Sequence, residues 1–386
     1  MIDARAAVLL ESGADPVLTD VSVRSPRADE ILVRIDAVGI CHTDVSVAAR
    51  WPQRRLPMVF GHEGCGTVIQ AGPEAGLDPG SRVVLSFASC GTCAYCTAGQ
   101  PAYCAHSTTL NLRGDGGGDG AALHIGGRPI GAGFFGQSSH GTVALARRRN
   151  AVVIPDDVDP VLAAPLGCSV QTGVGTLLNA LQPRPEDPVV VFGAGAVGLS
   201  AVMGARIAGC RTIVAVDPVS DRRALASALG ATATIDPVQG EVAERIVELT
   251  AGGAQAAVDT TALPDVLSTA LGALRPRGQL AVVGLGAPVA PLPVGLIMGN
   301  GLTVRGVVEG DSEPQRFIPH LVDLLRRGEL PVERIVTRYD FADFDRAWAA
   351  ARAGAAVKPV LTLAERPTAT GAVDQPPGGG GDTGEY

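Results

Sequence analysis

Four cysteines, Cys90, Cys93, Cys96 and Cys104, stand in a C-x2-C-x2-C-x7-C array. Thiolates at such short intervals can surround one metal ion tetrahedrally, and zinc favours that closed sulfur shell. A shell without an open position holds structure together and leaves no room for a substrate. A second set is dispersed: Cys41 in GICHTD, His62 in GHEGCG and Cys168 in PLGCSVQTG. Two thiolates and one imidazole around zinc leave a fourth position free, which is a catalytic arrangement. Spacing alone equally allows three unrelated buried side chains, because a single cysteine is usually a core thiol and a single histidine a hydrogen-bonded structural residue.

A third motif is Gly193-Ala194-Gly195-Ala196-Val197-Gly198, which follows the apolar run VVVF and precedes a helical stretch. Glycines at Gly193, Gly195 and Gly198 permit a tight turn and let a pyrophosphate approach a helix N-terminus. A flexible turn would use glycine too, so the flanking strand and helix carry the assignment. Asp217 closes the next apolar run, where a carboxylate can bind the adenosine ribose hydroxyls. Its charge repels a 2′-phosphate, which predicts NAD over NADP.

These residues need elements to hold them. From residue 189 onward, apolar runs at 189–192, 212–217, 231–236, 256–259, 279–284 and 302–307 alternate with helix-forming stretches at 199–208, 221–229, 241–249 and 264–274. That rhythm predicts a doubly wound α/β domain with a parallel six-stranded sheet. The first 150 residues carry short alternating runs (ILVRIDAVGI, GTVIQAG, SRVVLSF, GTVALA) broken by glycine and proline, the pattern of a mainly antiparallel β domain. The Gly-rich segment 111–133 reads as a mobile surface loop. Helical stretches at 314–327 and 343–353 and an apolar strand at 357–363 follow the parallel sheet. The expected division is 1–168 with 307–365 as the catalytic, GroES-like zinc domain, 169–306 as the NAD-binding Rossmann domain, and 366–386 as a disordered tail.

Composition excludes other classes. With 46% hydrophobic and 18% charged residues the chain can bury sizeable cores, and its net charge of −8 disfavours nucleic acid as a partner. No signal peptide or run of 18 apolar residues is evident, which predicts a soluble cytoplasmic protein with no membrane partner. Eight cysteines then read as metal ligands or buried thiols, and Cys65 and Cys210, which fit neither zinc set, as the latter.

Taken together, the motifs resemble the zinc-containing medium-chain alcohol dehydrogenases over about residues 5 to 365, in order as well as in kind. SFASCGTCAYCTAGQPAYC, GFFGQSS and PLGCSVQTGVGTLLNAL are most similar to the aryl-alcohol (benzyl alcohol) dehydrogenase branch, and terpenoid alcohol dehydrogenases share them. The resemblance implies reversible oxidation of a primary, aryl or allylic alcohol to the aldehyde by hydride transfer to NAD. It implies two zinc ions per chain, one catalytic on Cys41, His62 and Cys168 and one structural. Glu63 matches the carboxylate beside the metal, Asp44 the residue that orients the ligating imidazole, and Thr43 the hydroxyl that takes the substrate proton. Thr172 matches a residue packed on the nicotinamide, Arg222 the base accompanying the ribose-binding aspartate, and His42 and Lys358 groups near the pyrophosphate. Some relatives carry a proton-relaying histidine where this chain has Ser46. A homo-oligomer, dimer or tetramer, is also implied. The rival readings are a glutathione-dependent formaldehyde dehydrogenase, a zinc-free quinone or enoyl reductase, and a non-catalytic binding module built on the zinc lobe.

Overall fold

The computed structural model describes residues 1–114 and 121–363, and within it the apolar runs between residues 189 and 306 form a parallel sheet. Its strands lie in the order Ala233–Ile235, Ile213–Val216, Val189–Phe192, Ala254–Asp259, Leu274–Val282, Thr303–Gly306. All four side chains of Val189–Phe192 are buried, as a strand covered on both faces requires. The strand order reverses there, and ligands of open α/β sheets enter at the carboxyl end of such a switch point. The doubly wound, six-stranded architecture is the expected one.

Boundaries differ where long-range contacts override local pattern. The helix read as 264–274 stops at Gly272, and Leu274 already belongs to the strand Leu274–Val282, whose register on Ala254–Asp259 shifts after Ala254. The helix Val294–Asn300 carries no buried residue, so it has no apolar stripe to announce it in the sequence. The strand Val336–Asp340 is likewise half-exposed, and it forms by pairing in parallel with Lys358–Thr362.

The amino-terminal strands build two antiparallel sheets. The larger is centred on Glu30–Gly39, which pairs with Glu63–Ala71 and Val143–Arg147 and, from the far end of the chain, with Lys358–Thr362. The expectation of a mobile loop over 111–133 is corrected for its described part. Asn111 ends the helix Ser107–Leu112 and is buried, its amide oxygen accepting from Ala88 N and its amide nitrogen donating to Ala88 O and Ser107 O. Leu123–Ile125 and Arg128–Ile130 then form a hairpin whose turn, Gly126-Gly127, takes positive φ at both residues (55° and 78°). Glycine richness here serves a tight turn. The tail assigned to 366–386 lies outside the described residues.

A helix, Ser169–Gly175, joins the two halves. It packs on Ala196–Ile207 so closely that a Cβ on Gly173 would lie 2.2 Å from Val197 O, and one on Gly204 would lie 3.0 Å from Val174 Cα. Val84, Leu166, Val170, Val174, Leu199, Val202 and Ile318 consequently share one continuous core. Among the described residues no single helix is long and apolar enough to cross a membrane; the bent apolar pair Pro160–Gly167 and Ser169–Leu181 belongs largely to this core.

Candidate active site

Cys41 follows the central strand Glu30–Gly39 and caps the short helix His42–Ala48. His62 precedes the strand Glu63–Ala71, and Cys168 precedes the helix Ser169–Gly175. The ligand atoms of Cys41, His62, Glu63 and Cys168 all lie within 4.8 Å of one another, and all four residues are buried. Asp44, fully buried, explains how His62 is aimed. Its carboxylate accepts from Cys41 N (2.9 Å), Gly61 N (3.1 Å) and His62 Nδ1 (2.9 Å). With Nδ1–H committed to Asp44, His62 presents Nε2, a buried nitrogen with no hydrogen-bond partner, to the sulfurs. Burial opposes a charge on the ring, but Asp44 outweighs it and holds the His62 pKa well above its ordinary value. Cys41 is pulled well below the thiol range by a hydrogen bond from Cys168 and by Lys358, while the same bond and burial push Cys168 up. Two sulfurs sharing a proton beside an orphaned imidazole nitrogen fit a site built for a thiophilic cation, and zinc satisfies that donor set.

Lys358 is 1% exposed, and its ammonium lies 2.9 Å from both oxygens of Glu63, which also accepts from Ser169 N at 3.1 Å. Burial alone would discharge Lys358; the carboxylate of Glu63 keeps its pKa above the ordinary lysine value.

The four-cysteine lobe is equally closed. Cys90 Sγ lies 3.9 Å from Cys96 Sγ and Cys93 Sγ 4.0 Å from Cys104 Sγ. Tetrahedral zinc with Zn–S of about 2.3 Å requires sulfurs about 3.8 Å apart. Backbone N–H groups of Thr92 and Cys93 point at Cys90 Sγ and bring its pKa down to about 5, which prepares a thiolate ligand. All eight cysteines are free thiols, with Cys65 and Cys210 buried away from both sets.

A cavity of about 700 Å³ runs from Cys41 to Asp217 and is lined by His42, Ser169, Gly193, Gly195, Arg222 and Lys358, among others. Gly193 adopts φ +88°, and a Cβ on Gly198 would lie 1.8 Å from Gly193 O, so strand, turn and helix close onto each other. A Cβ on Gly195 would meet no protein atom within 4 Å; the open space is on the cavity side, where a phosphate needs it. Asp217, 3% exposed, accepts from Ala194 N (2.7 Å) and Val219 N (2.8 Å), which pins its carboxylate at the cavity wall. Arg222 donates to Gly354 O at 2.9 Å.

The structure therefore brings the sequence-predicted residues together, with two differences in placement. Lys358 is at once a cavity-lining residue and the buried partner of Glu63. Thr172 does not line this cavity; it sits one turn behind Cys168, donating to Glu309 Oε2 at 3.3 Å. Thr43 is half-buried in the first turn after Cys41.

Three residues escape sequence reasoning. Glu309 lies against Cys168, Gln171 and Thr172, and burial pushes its pKa up to about 7. Phe135 stacks on the His62 ring at 4.5 Å between centroids, and Gln137 donates to His62 O at 3.0 Å. The segment GFFGQSS was noticed for its resemblance, yet nothing local in it points to His62.

Residues 27–155 match the alcohol dehydrogenase GroES-like domain family, and residues 196–327 match the zinc-binding dehydrogenase family. The chain is 44% identical to geraniol dehydrogenase of Castellaniella defragrans, over 94% of this chain and 98% of that protein. Among solved structures it is similar to an alcohol dehydrogenase zinc-binding domain protein from Burkholderia ambifaria (TM-score 0.91, 44% identity, 94% and 99% covered). It is also similar to benzyl alcohol dehydrogenase from Acinetobacter calcoaceticus (TM-score 0.90, 39% identity, 94% and 100% covered).

The Lys358–Glu63 pair yields a prediction. Lys358→Met leaves a buried carboxylate without its cation and should cost about 3–5 kcal/mol, read as a lower urea midpoint. Adding Glu63→Gln should recover most of the loss. A single variant as stable as the wild type would show that the pair is dispensable.

Proposed function

The chain belongs to the zinc-dependent, NAD-linked alcohol dehydrogenase family acting on primary alcohols, and on that premise we propose that its substrates are aryl or allylic alcohols and their aldehydes. The observation that carries this reading is the aromatic wall at the metal site. Phe135, partly exposed, stacks on His62, and Phe134, Phe60 and Trp51 back it with edge contacts at 4.9–5.3 Å between successive rings. A flat, apolar π-system finds matching surface there. The names of the relatives, a geraniol and a benzyl alcohol dehydrogenase, agree.

In this reading Cys41, His62 and Cys168 hold the catalytic zinc and Cys90, Cys93, Cys96 and Cys104 the structural one. Zinc supplies Lewis acidity toward the alcohol oxygen, and NAD supplies the two-electron acceptor. Asp44 keeps His62 in the tautomer that offers Nε2. Glu63, restrained by Lys358 and Ser169 N, is the reserve ligand beside the trio. The hydroxyl of Thr43 accepts the proton leaving the alcohol, and Ser46, with no imidazole, leaves its onward path to hydroxyls and water. Asp217 takes the adenosine ribose with Arg222 nearby; His42, Lys358 and the turn at Gly193, Gly195 and Gly198 take the pyrophosphate; Thr172 backs the nicotinamide. The division into 1–168 with 307–365 and 169–306 belongs to the same proposal, with the cleft between the two parts as the site of reaction. Eight free thiols suit a reducing, cytoplasmic compartment.

We propose further that a second copy covers the strip beside the edge strand Thr303–Gly306. Val289 (81% exposed) and Met298 (76%) stand there with Leu285 and Val294 beside an unpaired strand edge, a surface that aggregates unless partnered. Light scattering should report at least two chains per particle, and Met298→Asp with Val289→Asp should lower that number. A monomeric wild type would overturn the assembly.

Elemental analysis should find about two zinc ions per chain. Cys93→Ser should lower thermal stability, whereas Cys168→Ser should abolish turnover in a folded protein that keeps its structural zinc. One or no zinc, or two variants with the same phenotype, would contradict the assignment.

A panel of benzyl, cinnamyl, geranyl and short aliphatic alcohols and S-hydroxymethylglutathione, with NAD and NADP, tests the substrate class. The highest kcat/KM should fall on an aryl or allylic alcohol with NAD, and Asp217→Ser should narrow the preference over NADP. Preference for the glutathione adduct would favour formaldehyde oxidation instead.

A further inference from the structure

Glu309 is a buried acid that the mechanism above does not use. It follows the last parallel strand, Thr303–Gly306, and its carboxylate reaches the helix that begins beside Cys168. Cys168 Sγ lies 3.7 Å from Oε1, Gln171 Nε2 donates to Oε2 at 3.2 Å, and Thr172 Oγ1 donates to Oε2 at 3.3 Å. All three partners are neutral donors. Among the described residues no lysine or arginine forms an ion pair with Glu309.

The other buried charges of the site are matched. Glu63 has Lys358, and Asp44 has two backbone N–H groups and the His62 ring. Two thiolates, at Cys41 and Cys168, balance a bound dication. Glu309 is left as the carboxylate without a cation, in surroundings that screen it weakly.

Its backbone shows that this placement is enforced. Glu309, Gly310 and Asp311 take successive φ values of +49°, +65° and +51°, a conformation that two side-chain-bearing residues hold only when the surroundings dictate it. Those surroundings are present. Asp311 is clamped by Arg305 and by the Tyr103 hydroxyl, Asn179 Nδ2 donates to Gly310 O at 2.9 Å, and Ser312 Oγ donates to Gln171 Oε1 at 2.9 Å. A Cβ on Gly310 would lie 2.3 Å from Gln171 O, so the loop is seated directly on the helix.

We propose that the Glu309 carboxylate biases the cofactor's redox state: its charge favours the cationic ring of oxidised nicotinamide over the neutral ring of the reduced form. The inference rests on the reading that Thr172 backs the nicotinamide. A negative charge fixed behind that position attracts a pyridinium and is indifferent to a dihydropyridine, so it tightens NAD+ relative to NADH and eases release of the reduced product after alcohol oxidation.

The test is a pair of dissociation constants, for NAD+ and for NADH, on the zinc-loaded protein by calorimetry and by NADH fluorescence at a single pH. Glu309→Gln keeps the shape and removes the charge. It should weaken NAD+ relative to NADH by about tenfold or more, the size expected of one charge contact in a partly buried site. Affinity for ADP-ribose, which lacks the nicotinamide, should not change, and Glu309→Asp should retain most of the wild-type ratio. A purely structural role would shift both constants by the same factor, and that result, or an unchanged ratio, would overturn the inference. Failure of the wild type to bind either dinucleotide would instead overturn the cofactor reading, and this inference with it.

Discussion

The contact between two helix backbones near Gly173 and Gly204 is the constraint on which the rest of the molecule depends. One helix starts immediately after Cys168, and the other starts at the phosphate cradle of Gly195. A Cβ on Gly173 would lie 2.2 Å from Val197 O, so the helices meet main chain to main chain. Side chains at a looser crossing can repack and slide; backbones in contact cannot. The separation of a metal ligand from the dinucleotide turn is thereby set by covalent geometry, and transfer chemistry loses rate steeply when reacting groups are misplaced by as little as about 1 Å.

Around that fixed distance the structure balances buried charge. An unpaired ion in an interior is costly, and a pair that is well hydrogen-bonded is tolerated. Glu63 sits beside the metal ligands at no such cost because Lys358 arrives from the last strand, Lys358–Thr362, which adds to the edge of Glu30–Gly39. The carboxyl-terminal part of the chain thus completes a site begun by its amino-terminal part. Asp44 solves the same problem with backbone N–H groups and in doing so fixes which nitrogen of His62 is offered.

The four-cysteine lobe has a consequence beyond its own stability. Tyr103, next to Cys104, places its hydroxyl on Asp311 and 3.4 Å from both Gly306 O and Val308 N. Asp311 belongs to the loop that seats Glu309 against Cys168 and Thr172. A lobe held by its own metal therefore braces, through one tyrosine, a loop at the other metal site. That links the rigidity of an outlying segment to the electrostatics of the cleft.

What the sequence by itself determined is whatever short-range spacing decides. Cys90, Cys93, Cys96 and Cys104 enclose one point because a few residues of chain can do little else, and the glycines from 193 to 198 announce a phosphate turn because strand and helix flank them directly. The six-stranded order follows from a regular alternation of apolar runs and helices. Cys41, His62 and Cys168 were legible only through resemblance, since their meeting depends on three separate strand and helix ends converging. The tertiary structure alone decided that Lys358 belongs to Glu63, that Phe135 covers His62, and that Glu309 stands behind Thr172. Each of those contacts joins residues far apart in the chain, and no local pattern encodes the pairing of distant segments; it exists only once sheet register and helix crossing have been set.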